Sequence, residues 1–283
     1  MCFLAFSAGA QLLWKVSGNG IAKESYLFGT HHVAPSSMID AVPGLRDAIE
    51  KCDTVYGEVA SEEMMSATAQ QAMAGLMMAS ADSTLTVLLS PAQQDSVNTV
   101  LSKYTGGQLS LAQVAMLKPA ALAAQIALMQ SMVAFPDFNP AAQLDVTVQE
   151  LVKQLGKPAR GFETLMWQAQ LLFGDPIADQ LVQLMDAIGK DDKAAEYSKR
   201  LAAAYMGQNL DEISGVLFDP EMGLNGKELD KLVTERNHVW TNILIGLLPT
   251  SAILVCVGVG HLPGETGIIN LLRNAGFTVN PVE

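Results

Sequence analysis

The sequence predicts an α/β protein whose N- and C-terminal parts build a mixed, partly parallel central sheet around a large helical insertion. Two observations place the strands. Strand-like runs lie towards both ends of the chain, at 12–16, 25–29, 54–58 and 251–257. Strand, helix, strand between 25 and 58 is the order of a crossover unit, which joins parallel strands. A third observation places the helices. From about 62 to about 157 the chain is rich in Ala, Met, Gln and Leu, with apolar residues recurring every three or four positions, and helices resume from Thr164 to about Leu248.

Each element has a local reason. Ser17-Gly18-Asn19-Gly20 tolerates positive φ, so the first two runs read as an antiparallel hairpin. Pro43 to Lys51 reads as a short helix, and Thr54-Val-Tyr-Gly-Glu58 as a buried strand ending in a carboxylate. Ala120 to Met132 is a helix bounded by Pro119 and Pro136. Asp145 to Leu155 is another, closed by Gly156. Lys157 to Glu163 is a brief strand that also ends in a carboxylate, and a helix spans about Lys227 to Leu247. Ser251-Ala-Ile-Leu-Val-Cys-Val257 is a continuous apolar run, the pattern of a strand buried on both faces. A helix from Gly267 to Ala275 and a strand at Phe277-Thr-Val279 close the chain.

Composition narrows the function classes. With 283 residues, 49% hydrophobic and 16% charged, the chain can bury a sizeable core and is not disordered. A formal charge of −12 with no Lys/Arg cluster argues against a nucleic-acid partner. No run reaches the roughly 20 apolar residues that span a bilayer. Cys2, Cys52 and Cys256 make neither a disulfide framework nor a CxxC zinc site. The first ten residues are apolar and then small, and Ala8-Gly9-Ala10 fits a signal-peptide cleavage site before Gln11. The expected organisation is a leader remnant at 1–10 and a single domain at 11–283, exported to the periplasm or cell envelope.

The residues that can do chemistry share one placement. His32, Glu58, Glu163 and His261 each fall at or just past the C-terminal end of an expected strand, the edge where open α/β sheets bind ligands. His32 and His261 close two GxxH turns, Gly29-Thr-His-His32 and Gly258-Val-Gly-His261. Their glycines permit sharp turns and close backbone approach. Imidazole and carboxylate are the usual ligands of a hydrolytic divalent metal, which lowers the pKa of bound water and polarises a carbonyl. His32, Glu58 and His261 are the expected ligands, with Glu58 either a ligand or the general base.

Blander roles stand beside these. Glu58 can pair with Arg46 or Arg160, Glu163 can cap the helix after it, and Arg236 can pair on the surface with Glu235 or Asp230. Arg236 and Asn237 are adjacent, so they point about 100° apart on their helix. One can face the crevice while the other braces a loop. Neither glycine turn is a phosphate loop, and no Ser lies in a GxSxG elbow. The methionines of the helical half read as packing rather than as a binding surface.

Tyr26-Leu-Phe-Gly-Thr-His-His-Val33, Tyr56-Gly-Glu58, Gly161-Phe-Glu-Thr164, Glu235-Arg-Asn237 and Gly258-Val-Gly-His-Leu-Pro-Gly264 occur in this order. Together they resemble the TraB/PrgY/GumN family, which is related to the Tiki proteases. The resemblance implies a metal-dependent, peptidase-like hydrolase using a divalent ion such as Mn, Co or Zn. Carried across, the resemblance puts Gly29 with His32, Gly258 with His261, and Glu58 at the active site. From the residues themselves, Arg236 would be a catalytic oxyanion or carboxylate contact, and His31, Glu163 and Asn237 would contact a peptide or small-molecule substrate. His31 stands where many relatives carry an aliphatic residue. A non-catalytic peptide-sequestering protein and a metal-independent esterase are the alternatives.

Overall fold

A computed structural model describes residues 11–224 and 226–282 of the chain; the expected leader at 1–10 lies outside them. Gly18, Asn19 and Gly20 take φ of 79°, 47° and 76°. That turn folds strand β1 (Leu13–Ser17) back onto β2 (Ser25–Thr30), with Leu13 opposite Phe28. The remaining strands are β3 (Thr54–Val59), β4 (Ala159–Glu163), β5 (Ile253–Gly258) and β6 (Thr278–Pro281).

The described residues form one six-stranded sheet in the order β4-β3-β5-β2-β1-β6. β5 runs parallel to both β2 and β3, whereas β1 is antiparallel to β2 and β6. The crossover from β2 to β3 therefore does not join neighbours, as the sequence order suggested. β5 inserts between them, because its apolar side chains on both faces need cover that only a central position gives.

The chain divides into two compact units, one of Met1–Ser61, Asp137–Phe162 and Arg200–Glu283, the other of Glu62–Pro136 and Glu163–Lys199. Residues 137–162 and the segment from Arg200 fall in the same unit as strands β1, β2 and β3. In the sheet unit, the helix Leu144–Gln154 packs on β3 and β5 and ends at Gly156, which has φ of 75°. Its Gln149 lies over Gly57, where an added Cβ would come within 2.4 Å of the amide nitrogen. The Gln149 amide bonds to Ser61 N and Val59 O, which fixes the chain where it leaves β3.

The helical unit packs Leu85, Val97, Leu101, Leu122, Ile126 and Leu184 into one core. Met73, Met77, Met129 and Met185 fill its edges and those of a second small cluster around Ala121, Ala169 and Phe173. This unit also buries a polar network. Asp191 accepts from Lys103 Nζ, Tyr104 Oη and Gln130 Nε2 at 2.6, 2.8 and 2.8 Å.

Candidate functional site

The parallel strands β2, β3 and β5 end at the same edge of the sheet, where they deliver His31-His32, Glu58 and the loop to His261. The glycines that open the two GxxH turns are required by space and not by φ, since neither Gly29 nor Gly258 has a positive φ. A Cβ on Gly29 would lie 2.8 Å from Val259 Cγ2 and 2.9 Å from Leu262 Cδ1, so the first turn packs directly on the second. A Cβ on Gly258 would lie 3.1 Å from Glu58 Oε1. Gly260 is different: its added Cβ would only touch Leu217 at 3.5 Å.

Glu58 is bound from two sides. Gly258 N donates to Oε1 at 2.9 Å, and Arg236 Nη2 donates to Oε2 at 2.6 Å. The expected partners of these two residues change accordingly. Arg46 pairs with Asp40, and Arg236 does not make a surface pair, because its side chain is only 7% exposed. Burial alone would raise the Glu58 pKa, but the neighbouring His261, Arg236 and His32 and the Gly258 amide bring it down to about 2. Burial lowers His261 to about 4. The imidazole is therefore neutral at pH 7, and the cation that holds Glu58 ionised there is chiefly Arg236.

Arg236 begins the helix Glu235–Leu247, directly after a π-helical turn at Asp230–Thr234. Its Nη1 donates to Leu232 O at 2.8 Å within that turn and reaches His261 Nε2 at 3.2 Å. π turns of this kind recur at functional sites. Its guanidinium lies 4.6 Å from the ring centre of Trp240. Trp240 continues an aromatic row, with Tyr56–Phe162, Phe162–Trp240 and Trp240–His261 centroid distances of 5.1, 5.2 and 4.5 Å. Trp240 had a signal in the sequence, four residues after Arg236 and so on the same helix face.

Asn237 is fully buried. Its Oδ1 lies 2.7 Å from His261 Nδ1, and its Nδ2 donates to His261 O and Thr266 O at 3.1 and 2.8 Å. With its side-chain amide engaged on both sides, Asn237 braces the loop that carries His261. Glu163 is the last residue of β4, and the cap of the following helix comes from Thr164, whose side chain accepts from Trp167 N.

His32 meets a residue that the sequence did not flag. Its Nδ1 lies 3.3 Å from Asp145 Oδ2, on the first turn of the helix Leu144–Gln154. The His32 side chain is 68% exposed, whereas Asp145 is 15% exposed. Hydrogen bonding to Asp145 raises the His32 pKa to about 9, with the Asp145 charge acting in the same direction. An Asp in a first helical turn reads as a macrodipole partner, which is why Asp145 escaped attention. His31 turns away towards Tyr205, with ring centroids 5.6 Å apart. Burial, with His32 next to it, lowers His31 to about 3.

Among the described residues, no three His, Cys, Asp or Glu side chains come together as a group able to hold a metal ion. The reason at Glu58 and His261 is on view: one guanidinium contacts both, and an ion shared by the two would sit against that fixed positive charge. The arrangement does not fit a metal held jointly by Glu58 and His261. Two buried oxygens without a hydrogen-bond partner, Thr30 Oγ1 and Asp145 Oδ1, belong to the residues around His32.

The fold and site define an α/β protein with a charged, partly buried cluster at the carboxyl edge of its parallel strands. The chain belongs to the TraB/PrgY/gumN family, which matches residues 12–281. No curated protein and no solved structure matched the chain. Among the described residues, no helix is long and apolar enough to cross a membrane.

Proposed function

We propose that this protein is a hydrolase of acyl bonds in peptides or small esters, acting at the carboxyl edge of the sheet. The observation that carries the reading is the pairing of His32 with Asp145. A carboxylate on Nδ1 orients the exposed imidazole and leaves Nε2 for the substrate, which is the base-and-orienter logic of hydrolytic triads. The unprotonated dyad takes a proton from the attacking water at Nε2 and returns it to the leaving group. Arg236, held between Glu58 and His261, supplies fixed positive charge where an oxyanion develops. With its pKa near 2, Glu58 is a poor base; its part is to hold Arg236. The resemblance to the Tiki-related family favours peptides as substrates, and the small-residue ending before Gln11 favours a periplasmic or cell-envelope location.

A metal-assisted version is the second reading, favoured by the two unpartnered oxygens Thr30 Oγ1 and Asp145 Oδ1. A bound divalent ion would supply an activated water there. The test is a digest of a peptide library and a panel of small esters, with and without chelator, using the wild type and His32→Gln. Turnover that survives chelation and disappears in His32→Gln is the expected result. Chelator-sensitive turnover would move the assignment to the metal-assisted reading. Tight peptide binding with no turnover under any condition would replace hydrolysis by sequestration.

A further inference from the structure

We infer that Asn237 is a positioning residue: it holds His261 in one neutral tautomer and, through it, pins Arg236 against Glu58. The inference concerns the geometry of the proposed site and stands whether or not that site hydrolyses anything.

The argument is one of donors and acceptors. Asn237 Nδ2 faces two backbone carbonyls, His261 O at 3.1 Å and Thr266 O at 2.8 Å. Carbonyl oxygens only accept, so the amide has one orientation; turned over, it would set its oxygen against both. Oδ1 then faces His261 Nδ1 at 2.7 Å. As Oδ1 also only accepts, Nδ1 must carry the hydrogen. In a neutral imidazole Nε2 is then left with its lone pair. The group in hydrogen-bond reach of Nε2, at 3.2 Å, is Arg236 Nη1, which can only donate; the Glu58 Oε1 acceptor lies beyond that reach at 3.8 Å. Every donor in the chain meets an acceptor. The other tautomer would create two clashes, lone pair against Oδ1 and N–H against the guanidinium.

The tautomer has a purpose that packing does not require. With Nε2 as an acceptor, Arg236 Nη1 is held by His261 and by Leu232 O, and Nη2 is turned to Glu58 Oε2. His261 thus serves as a hydrogen-bond acceptor for Arg236. The loop Gly258–Thr266 and the helix Glu235–Leu247 are joined through one buried amide.

Nitrogen-resolved NMR of the full chain, labelled with 15N-histidine at neutral pH, tests this directly. The four histidines of the chain are assigned by replacing each in turn with Gln. Wild-type His261 should show a single Nδ1–H tautomer. In Arg236→Met, which keeps Asn237, that pattern should persist. In Asn237→Leu, which removes the acceptor, the pattern should be lost to a mixture or to Nε2–H. An Nε2–H or mixed pattern in the wild type overturns the inference. So does a pattern that survives in Asn237→Leu or collapses in Arg236→Met, since Arg236 would then set the tautomer. If Asn237→Leu does not fold, the wild type and Arg236→Met still decide the question. Absence of any hydrolytic activity would leave these spectra unchanged.

Discussion

Arg236 and Glu58 stand 178 residues apart in the chain and meet at 2.6 Å, with side chains only 7% and 12% exposed. Removing one partner of such a pair leaves an uncompensated buried charge, at a cost of about 3–5 kcal/mol. Arg236→Ala should therefore unfold at markedly lower urea concentration than the wild type. The double variant Arg236→Ala with Glu58→Gln should recover part of the loss, because it removes both charges. A double variant no more stable than Arg236→Ala would show that the pair is not what the fold depends on here.

Asp145 sets the titration of His32. Hydrogen bonding to Asp145 raises the imidazole to about 9, so His32 is protonated at neutral pH and becomes a base only as pH rises. Hydrolysis should accordingly increase with pH up to about 9. Asp145→Asn should move the His32 titration, followed by NMR, and the rise in kcat/KM to lower pH together. The ring is largely open to solvent, which screens part of the effect. A pH profile that is flat between 6 and 9 would remove His32 from the proton-transfer step.

The glycines of the two turns should separate cleanly on substitution. Gly29→Ala drives a methyl group into Val259 and Leu262 and should cost about 1–3 kcal/mol, the usual penalty for overpacking. Gly258→Ala presses on the Glu58 carboxylate and should lower activity more than stability. Gly260→Ala meets only an ordinary contact and should be neutral or stabilising by up to about 1 kcal/mol. Thermal melts and one activity assay on the three variants would check this order.

Acid should weaken the fold well before carboxylates titrate. His261 and His31 are held neutral down to about 4 and about 3, whereas an unfolded histidine takes up its proton near 6.5. Below that pH the unfolded chain binds more protons than the folded one, so stability falls as pH drops from about 6.5 towards 4. Glu58, depressed to about 2, acts in a lower window: its contribution is present above about 4.3, its unfolded pKa, and is lost as pH falls towards 2. His32 has the opposite sign. Its contribution is present below 6.5 and is lost as pH rises through about 9. Urea midpoints at pH 7 and pH 5 should differ, and His261→Gln should reduce the difference.

In the helical unit, Asp191→Asn weakens or removes three charge-assisted hydrogen bonds, from Lys103, Tyr104 and Gln130. At about 1.5–3 kcal/mol for a bond to a charged group, a loss of about 2 kcal/mol or more in unfolding free energy is expected. A midpoint equal to the wild type would mean that the network is replaced by solvent without cost.

What could be read from the sequence was local. Gly18-Asn19-Gly20 announces its hairpin because few other triplets accept three positive φ values, and the apolar run of β5 announces a strand covered on both faces. The placement of His32, Glu58 and His261 at strand ends followed from the same short-range patterns. Long-range pairing did not. Nothing near residue 28 or 57 says that β5 separates those two strands, so the contact of Gly258 with Glu58 was invisible. Asp145 was hidden for a related reason: its role depends on a packing angle that brings a helix start to the sheet edge. The π turn before Arg236 has no periodic signature, since it shifts the helix register by a single residue.

The position of β5 also sets a timetable for the protein's birth. The strand that separates β2 from β3 is made long after both of them, and Glu58 must await Gly258, 200 residues later. At about 5–20 residues per second of synthesis, that is a wait on the order of 10–40 s. During it, β2 and β3 each keep an open edge of unpaired backbone groups, the surface on which wrong strand pairing begins. The same delay is a safeguard: until β5 and the turn after it are made, Glu58 has neither the Gly258 amide nor the His261 side chain beside it, so the complete charged cluster cannot form early.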